Sequence, residues 1–515
     1  MGGTRLKNRV QSSGRRGAAV VVLMVAGLVA AACAPITPYI GWGGLLDVRL
    51  GDGTMEASWP PPPDATPTSS YELVRWPTGN FGALTSTFTD QTSVVLDGVT
   101  EGLTDRTWYS FRVRALNEGE PGRWSDEVLE FYAEPDLPVL RIETVGDAPI
   151  LDKEHYVPGT FALDSQGVDP AASGNVEIRG RGNSTWSLPK RPYRIKLGSS
   201  TSLLGMPANR HWVLLANSLD PGQLRNSTAF ELSERTDLAW TPRYRDVELI
   251  LNGSYEGVYQ LVEHIRIDAN RVNIDKLSAS NTTEPAVTGG YLLEVDAWLG
   301  LSGDPGFSTP TGLSIRFDDP EAPVPPAQFT YVQNYVSAFE NVLFSPTFTD
   351  PVTGYGAYID VDSFIDWYLV NEITNNKDAF VSSTWLYKPR GEKLAMGPVW
   401  DFDRSMGIDG THKYDEFWVR QPDRLWFDRL FQDPAFIQRV RDRWSQFEPS
   451  FREVPDEILG AHPSGSPIAD ALLADSLRWG TAGTAESTPA FLADWLTHRL
   501  NWLDGVDQYG DGIPG

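Results

Sequence analysis

Cysteine is almost absent from this chain of 515 residues: Cys33 stands alone. No intramolecular disulfide is therefore possible, and no thiolate cage for a metal. Histidine is scarce too, with six copies scattered at no ligand spacing, which argues against a zinc centre. Basic residues are outnumbered, 43 against 68 acidic ones, leaving a net charge of −25. Such a surface repels a phosphate backbone, so nucleic acid is not an expected partner. Internal repeats and low-complexity blocks are missing as well. Only one long apolar run exists, Ala18 to Ala32, too short and wrongly flanked for a membrane span.

That run has a clear purpose. It follows Arg5, Lys7, Arg9, Arg15 and Arg16 and ends on alanines before Cys33, the pattern of an export signal over residues 1–33. The remainder is expected outside the cytoplasm, secreted or on the cell surface. A cysteine directly after such a signal resembles a bacterial lipoprotein site, which implies membrane attachment through a lipidated Cys33. Ala30 stands where a leucine is usual, so plain cleavage after Ala32 or Ala34 is the other outcome.

What the chain does have is bulk: 41% hydrophobic and 11% aromatic residues, enough for two or three domains. Residues 43–134 read as all-β. Strands are predicted at Tyr71–Trp76, Ser93–Leu96 and Trp108–Ala115, between clusters of Gly, Pro, Asp and Asn, with a loop at Pro60–Pro63. Trp59 and the run GLTDRTWYSFRVRALNEGEPGRWSD resemble a fibronectin type III domain, with Leu103 and Tyr109 at the tyrosine corner. Such a sandwich implies a spacer or docking platform without chemistry. Glu134–Leu137, EPDL, reads as a linker.

Residues 138–504 read as mixed α and β, followed by a tail over 505–515. Three stations in this larger domain carry possible chemistry. In VEIRGRGNSTWSLPKRPYRIKLGS, two alternating strands flank a loop holding Gly180, Gly182 and Arg181. Glycines let backbone amides point at an anion, and cations add attraction; a merely solvated basic hairpin is the bland alternative. Lys196 falls on the face opposite Ile195 and Leu197. Next, Pro221–Thr236 is predicted helical, and either Glu231 or Glu234 could reach a strand lysine, Glu231 being preferred. Asn252–Gly253 predicts a hairpin turn. His264, just past the hairpin, reads as a satisfied structural histidine.

The third station is GPVWDFD, residues 397–403. Burying an unpaired carboxylate costs several kcal/mol, so Asp401 and Asp403 need a cation, a set of amides or a metal. In extended backbone they share one side, about 7 Å apart at Cα, with Trp400 and Phe402 turned to the core. Upstream lie a helix predicted at Ser363–Thr374 with Asp362 as its cap, then Asp378 in a loop. A hairpin of Trp385–Tyr387 and Lys393–Met396 would bring Asp378 beside the aspartate pair.

Helix, aspartate loop, hairpin and aspartate pair follow the order of a protein-kinase catalytic loop and magnesium motif. With RGRGNSTW, KRPYRIKL, WVLLANSLDPGQLRN, YEGVYQLVE, GGYLLEVD, NNKDAF and GPVWDFD, the domain resembles the spore coat protein H (CotH) kinase family. The resemblance implies a multidomain chain, with the sandwich followed by an α+β, two-lobed kinase-like domain. It implies that Lys196 and the Gly180–Gly182 loop hold ATP phosphates, with Glu231 orienting Lys196. Glu263 and Ile265 would offer backbone groups to adenine. Asp401 and Asp403 would hold Mg²⁺ or Mn²⁺, and Asp378 would be catalytic. Phosphoryl transfer to a hydroxyl of a surface or coat protein follows from it. The departures are Ser383 in place of an asparagine, Asp403 in place of a glycine, and two glycines of a usual three. Related folds transfer AMP instead, and a non-catalytic surface, coat-assembly or adhesion protein on the same fold is the other class of reading.

Overall fold

The computed structural model describes residues 46–61, 70–408, 414–420, 425–481 and 483–505. The export signal, Cys33, the second half of the Pro60–Pro63 loop and the tail beyond Gly505 lie outside them. Among the described residues, no helix is long and apolar enough to cross a membrane.

Alternation of apolar and polar residues builds a front sandwich. One sheet joins Asp47–Leu50, Thr54–Ser58 and Ser93–Asp97. The other joins Thr85–Thr89, Ser70–Pro77, Thr107–Asn117 and Glu120–Pro121, with Val128–Tyr132 also paired to Thr107–Asn117. The amide of Thr104 donates to the phenolic oxygen of Tyr109 at 2.8 Å, beside buried Leu103, which ties the corner. EPDL is no free tether: the amides of Asp136 and Leu137 donate to Glu248 at 2.6 and 2.8 Å. Val139, Ile250 and Tyr255 complete the sandwich's own core. The sandwich is thus packed onto the next unit, where a looser spacer was expected.

That unit opens with a closed seven-stranded barrel, in the order Val157–Asp164, Ala172–Gly180, Tyr193–Leu203, Met206–Leu215, Ser254–Glu263, Tyr244–Leu251 and Val139–Thr144. Val176, Ile178, Ile195, Leu197, Trp212 and Leu214 fill its interior. The period of two then turns Arg179, Arg194 and Lys196 outward. Asn252 and Gly253, at φ 51° and 78°, make the expected hairpin turn.

Helix Arg225–Glu234 follows the barrel's fourth strand. It starts later than predicted because Asp220 accepts the Arg225 amide at 2.8 Å, holding the preceding residues in turns. Beyond the barrel, a five-stranded sheet runs Gly306–Ser308, Ser314–Asp319, Tyr291–Val295, Thr384–Lys388 and Ala395–Met396. Helix Val361–Ile373 is buried on nearly every face, a pattern reserved for central helices. It packs against Arg225–Glu234, Pro434–Phe451 and Pro489–Gly505. Its cap is Asp360, whose side chain accepts from the amides of Asp362 and Ser363. Asp362, expected as the cap, sits in the first turn and pairs with Arg439 at 2.5 Å.

Candidate active site between barrel and helical half

A cavity of about 930 Å³ separates the outer face of the barrel from the helical half, at the upper end of the range for small-molecule sites. Gly180, Arg181 and Gly182 line it from the barrel side; Asp378, Asp401 and Asp403 line it from the other. The hairpin of Thr384–Lys388 and Ala395–Met396 pairs Leu386 with Met396, and its two ends deliver Asp378 and the GPVWDFD acids to the same wall.

Both acids of GPVWDFD reach the cavity, but not through extended backbone. Asp401 lies at φ 70°, a left-handed conformation that non-glycine residues seldom hold without a functional or structural reason. Asn375, Phe380, Ser383 and Met406 share that rarity at 48–63°, so strain gathers around this wall. Ser383 Oγ donates to Asp401 Oδ2 at 2.9 Å, and the Ser383 amide donates to Glu294 at 3.1 Å. Phe402 enters the core, whereas Trp400 also lines the cavity, with the guanidinium of Arg181 over its ring at 5.5 Å.

Asp403 is 7% exposed and accepts no hydrogen bond from any described residue. Burial, reinforced by repulsion from Asp401 and Asp378, pushes its carboxyl well above the usual range. Opposite, burial pulls Arg181 below its ordinary value, against the carboxylates of Asp401, Asp403 and Glu294. Arg404 stands 3.9 Å from Asp378. Among the described residues no three acids, histidines or cysteines form a ready metal cage. Two carboxylates with room beside them suit Mg²⁺, which keeps water and substrate phosphate as its other ligands.

The wall is braced from behind by residues that sequence reasoning passed over. Asn226 accepts the amide of Phe402 at 2.9 Å. Arg225, wholly buried, pairs with Asp220 at 2.7 Å and donates to the carbonyls of Ser405 and Met406 at 2.9 and 3.2 Å. The signal was legible as the Arg-Asn pair closing DPGQLRN, an unusual start for a buried helix.

Three expectations need correction. Lys196 does not line the cavity. It is the direct cross-strand partner of Glu177 and its ammonium binds that carboxylate at 2.7 Å, as opposite charges on neighbouring strands do. The preceding pair on that outer face, Arg179 and Arg194, lines the cavity instead. Glu231 does not meet Lys196; it lies on the open side of its helix and pairs with Arg235 at 3.1 Å. Glu263, expected to offer backbone groups, does not line the cavity, and its amide donates to the Arg243 carbonyl at 3.0 Å; Ile265 and His264 do line it.

The loop amides divide by use. Those of Gly180 and Arg181 donate to Asp152 and Pro192 carbonyls at 2.9 and 3.2 Å, so any anion contact from the backbone falls to the residues after them. At Gly180 a β-carbon would lie 2.5 Å from the Trp186 ring, which explains the glycine. At Gly182 the reason is φ of 83°.

An all-β sandwich packed on a two-part α+β domain with a charged cleft is the class that fold and site define. Family comparison supplies the rest. Residues 45–130 match the fibronectin type III domain model, and residues 178–503 match the model described as CotH kinase protein. The chain belongs to the CotH kinase protein family. No curated protein matches it. Among solved structures, the FN1-FN3 domains of chicken CNTN1 are similar at 14% identity and a TM-score of 0.17, over 29% of this chain and 58% of that one.

Proposed function

We propose that this protein is an exported, metal-dependent, kinase-like enzyme that transfers phosphoryl from ATP to a hydroxyl of a surface or coat protein. The observation that carries the reading is one cavity with Arg181 and Arg194, which make no ion pair among the described residues, on one wall, and on the other Asp378, Asp401 and the buried Asp403, to which no described residue donates a hydrogen bond. In this reading Arg181 and Arg194 take the phosphate role that Lys196 is not positioned to fill. Arg194 lines the cavity and makes no ion pair among the described residues, and a guanidinium suits a phosphate. Asp401 and Asp403 would hold Mg²⁺ or Mn²⁺, with Ser383 fixing the rotamer of Asp401. A bound divalent ion neutralises charge on the phosphates.

Asp378 orients the acceptor hydroxyl and receives its proton as the new oxygen–phosphorus bond forms. The bond from the terminal phosphorus to the bridging oxygen breaks, and ADP leaves with the electron pair. Export through residues 1–33, and attachment through Cys33, complete the proposal and place the acceptor outside the cytoplasm.

A non-catalytic surface or coat-assembly protein is favoured by one observation, the engagement of Lys196 with Glu177. Calorimetry with Mg²⁺–ATP and Mn²⁺–ATP separates the two: binding supports the enzyme, and silence under both metals overturns it. Label on the γ- or α-phosphate then distinguishes phosphoryl from AMP transfer. Asp378→Ala should abolish labelling while leaving the fold intact, and Asp401→Ala should remove metal-dependent binding.

A further inference from the structure

Glu294 is a buried carboxylate in the cavity wall to which the transfer chemistry gives no direct part. It sits on strand Tyr291–Val295, opposite Arg316 on one neighbouring strand and Trp385 on the other. Its two oxygens serve different partners. Oε1 accepts the amide of Ser383 at 3.1 Å, and Oε2 pairs with the guanidinium of Arg316. A carboxylate accepts at both oxygens, whereas a carboxamide accepts at one end and donates at the other.

The bond to Ser383 falls where the backbone needs support. Ser383 is held at φ 54°, a left-handed conformation that costs energy in any residue but glycine. A hydrogen bond to an ionised acceptor, stronger than one between neutral groups, offsets that cost. With its backbone so held, Ser383 turns its hydroxyl to Asp401 Oδ2 at 2.9 Å. Asp401 itself stands at φ 70°, outside regular strand geometry, so side-chain contacts must aim its carboxylate. The loop from Asp378 to Ser383 is tied to the same sheet at a second point, where the Ala297 amide donates to the Val381 carbonyl at 2.9 Å. That tie is made by backbone and stops at the loop; the tie through Glu294 continues to Asp401.

We infer that Glu294 is a positioning residue, acting through Ser383 to hold the Asp401 carboxylate in place for the metal ion. This rests on the metal reading above.

Mn²⁺ alone, titrated into the full chain and followed by the spin-resonance signal of the free ion, tests it. Burial raises the Glu294 carboxyl to about 7, against the pull of Arg316, so the titration belongs at about pH 8, where the group is ionised. Ser383→Ala should weaken Mn²⁺ about tenfold, as loss of a group bonded to a metal ligand does. Glu294→Leu should weaken it about three- to tenfold, the worth of one net hydrogen bond; Arg316 then still has Asp296 and Asp304 at 3.4 and 3.5 Å. Glu294→Gln, which keeps one acceptor oxygen, should fall between Glu294→Leu and the unaltered protein. Ser383→Ala and Glu294→Leu together should bind no more weakly than Ser383→Ala alone, because both break one chain of contacts. Losses that multiply in the pair, or no loss from Glu294→Leu, overturn the inference. So does rapid hydrogen exchange at the Ser383 amide of the unaltered protein, a measurement that needs no variant to fold. Mn²⁺ binding that ignores Glu294 sinks this inference alone; no Mn²⁺ binding by the unaltered protein sinks the metal reading, and the inference with it.

Discussion

Arg225 offers the sharpest test of how the aspartate wall is held. Its guanidinium and the Asp220 carboxylate are both fully buried, 2.7 Å apart. The same group donates to the carbonyls of Ser405, Met406 and Glu486 at 2.9, 3.2 and 2.7 Å, so one side chain ties the helix to the chain just after Asp403. Arg225→Met keeps length and apolar packing but leaves the buried Asp220 carboxylate without its cation and three carbonyls without the guanidinium donor. Removing one partner of a buried pair costs about 3–5 kcal/mol, roughly a hundredfold or more in the folded-to-unfolded ratio. Asp220→Asn added to Arg225→Met should recover part of that loss, since the uncompensated charge is gone. Urea unfolding followed by tryptophan fluorescence measures the stability; Mg²⁺–ATP calorimetry measures the site. Arg225→Lys should fall between, because an ammonium cannot reproduce the fork that spans these acceptors. If Arg225→Met unfolds within about 1 kcal/mol of the unaltered protein, below the usual cost of breaking a buried pair, the clamp is not a clamp.

Two further expectations follow from the same cavity and from the domain junction. Gly180→Ala would force a β-carbon against the Trp186 ring and the Asp152 carbonyl at 2.5 and 2.8 Å, costing about 1–3 kcal/mol, read as a lowered melting temperature together with weaker tripolyphosphate binding. At the junction, burial raises the Glu248 carboxyl to about 7; an unfolded chain releases that proton near 4.5. Between those values the native state binds more protons than the unfolded one, so stability falls as pH rises from about 4.5 to about 7 and levels off above. Glu248→Gln should flatten that slope in denaturation curves taken across the window; an unchanged slope would refute the assignment.

Local pattern carried a good deal of this protein. Alternation marked the strands around Ile178 and Ile195, and in the structure those two residues stand opposite one another. Asn252–Gly253 could make only a tight turn, because both positions need positive φ. The order Asp378, hairpin, Asp401, Asp403 placed the acids together, since a hairpin joins its own ends. These are short-range consequences of side-chain period and backbone sterics, and sequence alone determined them. Tertiary structure decided which cation meets the cavity. Arg194 and Lys196 share one face of one strand, and period two cannot separate them; the neighbouring strand does, by setting Glu177 opposite Lys196. It also decided that Arg225 and Asn226, rather than Glu231, brace the site, because a helix shows its function only once the surface it packs against exists. The same holds for His264, expected to be satisfied: among the described residues its Nδ1 has no hydrogen-bond partner, which no stretch of its own sequence could announce.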